Sequence, residues 1–104
     1  MGQVPQGTLD LLILRTLARG ARHGYAIARW IENTTDDVLA VEEGALYPAL
    51  ARLEKRGWIA AEWRRSDANK DIKVYELTGT GRTALRRRTA DWTALAGAMA
   101  KILK

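Results

Sequence analysis

Cysteine is absent from the 104 residues, which excludes disulfide scaffolds, thiolate zinc sites and cysteine nucleophiles together. Histidine occurs once, as His23, so one chain holds no multi-histidine metal site. Long apolar runs are missing too. The longest nearly apolar stretch, residues 9–14, already contains Asp10 and falls far short of the roughly 20 residues a membrane span requires. Residues 1–7 lack the charged start and apolar stretch of a signal peptide, so a soluble, cytoplasmic protein without a membrane partner is expected. No phosphate-cradling Gly-x-x-x-x-Gly-Lys loop occurs, and the acidic group Asp36, Asp37, Glu42 and Glu43 reads as a loop followed by a helix start. Neither catalytic residues nor a cofactor or metal are expected, and the chain is not read as an enzyme.

What is present is a globular composition, 47% hydrophobic and 28% charged, with a net charge of +5. The charge is uneven. Residues 1–51 carry four basic and six acidic side chains, whereas residues 52–104 carry thirteen basic and six acidic. A positive field of that kind attracts DNA or RNA, and equally a membrane surface or an acidic protein. One small domain of this size hides only about 60 to 70% of the surface its unfolded chain exposes, so a symmetric partner is a natural source of further stability.

Along the chain, Thr8 as N-cap, Asp10 at the positive end of the helix dipole and Gly20 as a stop predict a first helix over residues 9–19. Its apolar residues cover most of the circumference, which calls for cover on two sides, one of them a second subunit. Ile27, Trp30 and Ile31 predict a short amphipathic helix over residues 25–33, followed by a polar loop at 34–37. Leu46, Leu50 and Leu53 form the stripe of a third helix that ends at Arg56 and Gly57. Because Pro48 fits only in a first turn, that helix is expected to begin at Gly44 or Ala45. Ile59, Ala61 and Trp63 alternate with Ala60, Glu62 and Arg64, and Ile72, Val74 and Tyr75 concentrate strand formers, so residues 58–65 and 72–77 predict a hairpin with a tip at 66–71. Thr78, Gly79, Thr80 and Gly81 then punctuate the chain before a last helix of about twenty residues, whose Leu85, Trp92, Leu95, Met99 and Ile102 follow heptad-like spacing.

Three helices and a hairpin are the order of a winged helix-turn-helix, in which the third helix enters the major groove. The fold class expected is therefore mainly α with a two-stranded β-hairpin. At about 100° per residue, the third-helix face opposite the leucines carries Gly44, Pro48, Ala51 and Lys55, with Arg52 alongside. Small residues there would let the helix enter a groove about 12 Å wide, with cations behind for phosphates. An ordinary solvated face is the alternative.

Five segments stand in register: Gly7-Thr8-Leu9-Asp10-Leu11-Leu12-Ile13-Leu14, His23-Gly24-Tyr25-Ala26-Ile27, Glu43-Gly44-Ala45-Leu46-Tyr47-Pro48-Ala49-Leu50, Leu53-Glu54-Lys55-Arg56-Gly57-Trp58-Ile59 and Tyr75-Glu76-Leu77-Thr78. In order and spacing they resemble the PadR family of bacterial transcriptional regulators, across nearly the whole chain. The resemblance implies a winged-helix repressor that dimerises through its C-terminal helix and releases DNA when an effector binds or the dimer rearranges. It implies a winged-helix DNA-binding domain over residues 1–78 and a dimerisation helix over 79–104, in one compact unit.

By that resemblance Tyr25 and Tyr47 would contact phosphates, and Lys73 would be a basic residue of the wing; the alternative for both tyrosines is a core position. The DNA-binding set expected is Tyr25, Gly44, Ala45, Tyr47, Pro48, Ala51, Arg52, Lys55, Arg64, Arg65, Lys70 and Lys73. Ala45 stands where the family often has serine, and Asp71 lowers the charge of the wing. Leu11, Leu14, Leu85, Trp92, Leu95, Met99 and Ile102 are expected at a homodimer interface. Trp30, Trp63 and Trp92 are candidates for a site taking a flat hydrophobic or aromatic effector between subunits, against the plainer reading that they only pack. His23 is expected as a polar residue at a helix start, and the Arg86 to Arg88 run as solvated or interfacial. The partners expected are double-stranded DNA with a pseudo-palindromic operator, a second copy of the chain and an effector. The rival readings are a ligand-sensing or protein-binding adaptor without DNA readout, and an RNA-binding winged helix.

Overall fold

The computed structural model describes residues 2–3 and 6–104. Met1, Val4 and Pro5, part of the segment read for a signal sequence, lie outside the described residues. In chain order the elements are β1 (Gly2–Gln3), α1 (Gln6–Ala18), β2 (Arg22–His23), α2 (Gly24–Thr34), β3 (Leu39–Ala40), α3 (Glu43–Lys55), β4 (Ile59–Arg65), β5 (Asp71–Leu77) and α4 (Gly79–Leu103).

Helix α1 is the centre of the protomer. Leu9, Ile13, Leu14 and Leu17 are buried, and α2, α3, α4 and β5 all pack against it. The cover expected from a second subunit is therefore largely supplied by the chain itself, and Leu14 belongs to the protomer's own core. The helix starts at Gln6, which puts Thr8 inside it rather than at its cap. Glycine and threonine are poor helix formers, and the extra turn lines one wall of an open groove beside the start of α4. The buried hydroxyl of Thr16 donates to the Leu12 carbonyl at 2.7 Å.

After Gly20, Arg22 and His23 form β2, which pairs antiparallel with β5 through Arg22 to Tyr75 and His23 to Val74. Two residues are too few to display an alternating pattern. The same holds for β1 and β3, a parallel pair. His23 caps α2, its Nδ1 accepting from the Ala26 N–H at 3.2 Å. Ile27, Ala28 and Ile31 bury one face of α2. Asp36 and Asp37 turn the chain with φ of 51° and 62°, a region acidic and amide side chains tolerate better than most.

Helix α3 begins at Glu43, so Pro48 sits in its second turn, deeper than expected. The hydrogen bond it cannot make would have gone to the carbonyl of Gly44, which is exposed and open to water. Gly57 ends the helix at φ 77°, with Trp58 N–H bonded to the Leu53 carbonyl at 3.0 Å and Gly57 N–H to that of Glu54 at 2.9 Å. That double closure is a Schellman cap, for which glycine is the favoured residue. The hairpin β4–β5 follows in a register that runs from Ile59 opposite Leu77 to Arg65 opposite Asp71, giving a sheet of order β2-β5-β4. At the tip Asn69 takes a φ of 61° while the Ser66 N–H bonds the Lys70 carbonyl at 2.8 Å.

Helix α4 begins at Gly79, two residues before the glycine expected to precede it. Thr78 is its cap, accepting from the Gly81 N–H at 3.0 Å and donating to the Gly57 carbonyl at 2.7 Å. Gly81 is glycine for lack of space: a Cβ there would lie 1.9 Å from the Trp58 carbonyl oxygen. Leu85 is buried in the core of the same protomer, so it is not a free interface residue. Beyond it the helix leaves the body and extends to Leu103, exposing Trp92, Leu95, Met99 and Ile102.

The Gly81 contact predicts that Gly81→Ala forces α4 away from the end of α3, at a cost of about 2–3 kcal/mol. Urea unfolding would read this as a lower midpoint with an unchanged slope.

Candidate nucleic-acid interface

The outer face of α3 is built as the spacing predicts. Gly44, Ala45, Tyr47, Pro48, Ala51 and Lys55 are exposed, while Leu46, Ala49, Leu50 and Leu53 enter the core. No bulky side chain projects from the centre of that outer face, so a narrow cylinder is presented.

Arg52 behaves differently from the expectation. Its guanidinium donates to Asp10 Oδ1 at 2.9 Å, and Asp10 is only 4% exposed. A carboxylate that deep in the protein needs a counter-charge, and Arg52 lies on the edge of α3 nearest to it. Arg52 is thus an anchor of α3 on α1 rather than an arm free to reach phosphate. Asp10, correspondingly, does not serve the helix dipole, since the first turn of α1 holds no acid.

Two tyrosines flank the face. Tyr25, 63% exposed, stacks on the His23 ring with centroids 6.4 Å apart. Tyr47, 46% exposed, lies across the first residue of α2, and a Cβ on Gly24 would come within 2.9 Å of its ring. Gly24 therefore sets where Tyr47 stands. The sequence signal for it was the small residue at a helix start just after a capping side chain, and only the fold reveals the ring that needs the space.

On the hairpin, Arg64 bonds Glu62 at 2.6 Å, and Arg65 bonds Asp71 at 3.1 Å and Asn69 at 2.8 Å. These pairs are exposed and each is worth about 0–1 kcal/mol, so a phosphate can replace the carboxylate. Lys73 lies 3.4 Å from Glu54 and 5.5 Å over the Tyr75 ring, tying the hairpin to α3. Burial pushes the Tyr75 phenol above its ordinary value, with Lys73 opposing the shift, so it remains a neutral packing group. Lys55 and Lys70 form no ion pair among the described residues.

The three candidate effector tryptophans do not line one cavity. Trp92 borders an open groove of about 860 Å³ between the start of α1 and α4, together with Leu11, Trp58, Arg88 and Leu95. Trp30 lies instead beneath the Arg19 guanidinium at 5.5 Å, and Trp63 stands exposed on β4. The aromatic that accompanies Trp92 is Trp58, whose ring carries Arg56 and Arg88 at 5.0 Å each. Its position beside a glycine helix stop made it read as the first strand residue. Among the described residues no cluster of three or more His, Cys, Asp or Glu could hold a metal ion, and no helix is long and apolar enough to cross a membrane.

This geometry defines a winged helix-turn-helix unit with an appended long helix. Residues 13–87 match the family described as "Transcriptional regulator PadR-like family", and the chain belongs to that family. A protein of Lysinibacillus sphaericus called "Uncharacterized protein X" is 32% identical over 87 residues, 84% of this chain and 80% of that protein. Among solved structures, a transcriptional regulator from Clostridium thermocellum matches with a TM-score of 0.87 at 30% identity, over 95% of this chain and 96% of that one. A PadR family transcriptional regulator from Eggerthella lenta matches with a TM-score of 0.80 at 34% identity, over 95% of this chain and 84% of that one. The protein is a transcriptional regulator of the DNA-binding, winged-helix kind.

The Asp10–Arg52 pair makes a separable prediction. Asp10→Ala leaves a half-buried guanidinium without its counter-charge and should lower stability by about 2 kcal/mol, while Asp10→Leu combined with Arg52→Met should recover most of it. Denaturant midpoints of the single and double variants check this.

Proposed function

We propose that the protein is a homodimeric repressor that reads a pseudo-palindromic DNA operator, with α3 of each protomer in one of two successive major grooves. The observation that carries this reading is the outer face of α3: small residues at its centre, Tyr25 and Tyr47 beside it, and Lys55 at its far end. Gly44, Ala45, Pro48 and Ala51 would admit the helix to the groove floor, where base edges are distinguishable. The tyrosine hydroxyls and Lys55 would donate to phosphates, and Lys70, Arg64 and Arg65 would extend those contacts along the backbone. Lys73 would hold the hairpin at its working angle through Glu54 as much as touch DNA.

The second copy would cover the exposed seam of α4, Trp92, Leu95, Met99 and Ile102, with Leu11 at the base of the same groove. An apolar seam on an extended helix is an unstable surface in water, and a two-fold partner buries it. The groove lies within the size range of small-molecule sites. A flat hydrophobic effector would enter it between Trp58 and Trp92, next to the helix that joins the subunits.

Selection of bound duplexes from random DNA is the deciding experiment, and an inverted repeat with half-site centres about 34–36 Å apart or a multiple of it is expected. With about six to eight phosphates neutralised per dimer, log K against log salt should fall with a slope of roughly −5 to −7. Ala51→Glu should abolish operator binding while leaving the melting temperature unchanged, because its side chain enters only the groove face. Retained affinity in that variant, a flat salt response or preference for duplex RNA would each overturn the reading.

A further inference from the structure

Trp63 stands in the outer half of the hairpin with 69% of its surface exposed. Tryptophan is ordinarily used in cores and interfaces, where its large apolar area is covered. This one joins neither the hydrophobic core nor the groove beside α4. Its direction follows from the register. Ile59 and Leu77, Ala61 and Tyr75, Trp63 and Lys73, and Arg65 and Asp71 are paired, and alternate pairs along a hairpin share one face. The inner pairs of this face enter the core, and Lys73 reaches across to Glu54 on α3. The indole therefore stands on the α3 side of the hairpin, just beyond the point where the protein stops covering it.

Its surroundings select one occupant. Arg64 and Arg65 follow it in the chain, Lys73 is opposite, and Lys70 lies at the tip. Arg65 and Lys73 share its face, each paired with a carboxylate that solvent reaches, Asp71 and Glu54, while Arg64 lies on the opposite face with Glu62. An exposed indole beside such cations suits a ligand with stacking or sugar surfaces between phosphates. The neighbouring reading element, α3, points to duplex DNA as that ligand.

We propose that Trp63 is an aromatic wedge, lying against the sugars and base edges of the minor groove that flanks the major groove entered by α3. The inference rests on the DNA-binding reading above and adds a source of specificity to it. A wedge of this kind partly opens a base step and kinks the duplex, so the energy depends on how easily the flanking step deforms. Flexible TA or CA steps would be favoured there although no hydrogen bond reads them.

The test compares the full-length protein with Trp63→Ala and Trp63→Phe on a duplex recovered by selection, at several salt concentrations. Trp63→Ala should bind roughly tenfold more weakly at every salt concentration, with the salt slope unchanged, and Trp63→Phe should regain most of the loss. Replacing the flanking flexible step by a stiff A-tract should weaken the wild type and leave Trp63→Ala nearly unaffected. The exposed position should leave melting unchanged; if alanine lowers it, Trp63→Thr, a better strand former, carries the same comparison. Binding by the alanine variant within twofold of wild type overturns the wedge, as does a loss accompanied by a slope shallower by about one, which marks a phosphate contact. Wild-type protein that binds no duplex overturns the DNA reading and the wedge with it, whereas wild-type binding matched by Trp63→Ala overturns the wedge alone.

Discussion

The orientation of α3 depends on one polar contact across the core, the bond from Arg52 to Asp10 at 2.9 Å. Leucines on a helix face decide which side is inside, but an apolar stripe tolerates some rotation and sliding. A buried carboxylate meeting a guanidinium tolerates much less, because a carboxylate at that depth is costly without its counter-charge. With Arg52 held toward α1, the following geometry of the helix turns Ala51 and Lys55 outward together. The same bond explains why Asp10 interrupts an otherwise apolar helix: the acid serves α3, 42 residues away in the chain.

Helix α1 also faces the other way. Its first turn lines the groove beside α4, where Leu11, Trp58 and Trp92 meet. Trp58 in turn carries Arg56, at the end of α3, and Arg88, on α4, over its ring. Its carbonyl accepts the N–H of Thr78, the residue that caps α4. Helix α3 and the long terminal helix are thus joined at one tryptophan and braced on one central helix. These contacts between α4 and the end of α3 pass through this residue's ring and carbonyl. The hairpin is held more lightly, by Lys73 and Glu54 and by exposed ion pairs that water and salt weaken.

Much of this was legible in the chain because the signals were local or periodic. The leucine stripe of α3, the alternating Ile59 and Ala61 and the glycine at 57 each state a geometry within a few residues. Two-residue strands carry no such period, so β2 and the pair β1–β3 appear only once the fold brings their partners near. Pro48 misled because its exclusion from helix interiors is a rule about lost bonds, and here the orphaned carbonyl belongs to exposed Gly44. Glycines at 79 and 81 read as punctuation, whereas Gly81 is inside a helix for steric reasons that a distant carbonyl imposes. The outer face of α3 was correctly composed from spacing alone. The pairing of Arg52 is not legible, because a cation at a face's edge looks the same in sequence whether it points to solvent or to a buried acid. That Leu14 and Leu85 lie in the protomer's own core is not legible, because an apolar residue does not announce which body covers it.

The proposed dimer places two copies of α3, each held by its own α1, in successive major grooves. Methylation interference at guanine N7 probes that floor directly, since N7 lies in the major groove. On a selected duplex, interference should fall in two clusters about 10–10.5 base pairs apart on one side of the helix, related by two-fold symmetry. Undisturbed binding to DNA methylated at every guanine N7 of a guanine-containing site, or a single unpaired cluster, would contradict the account.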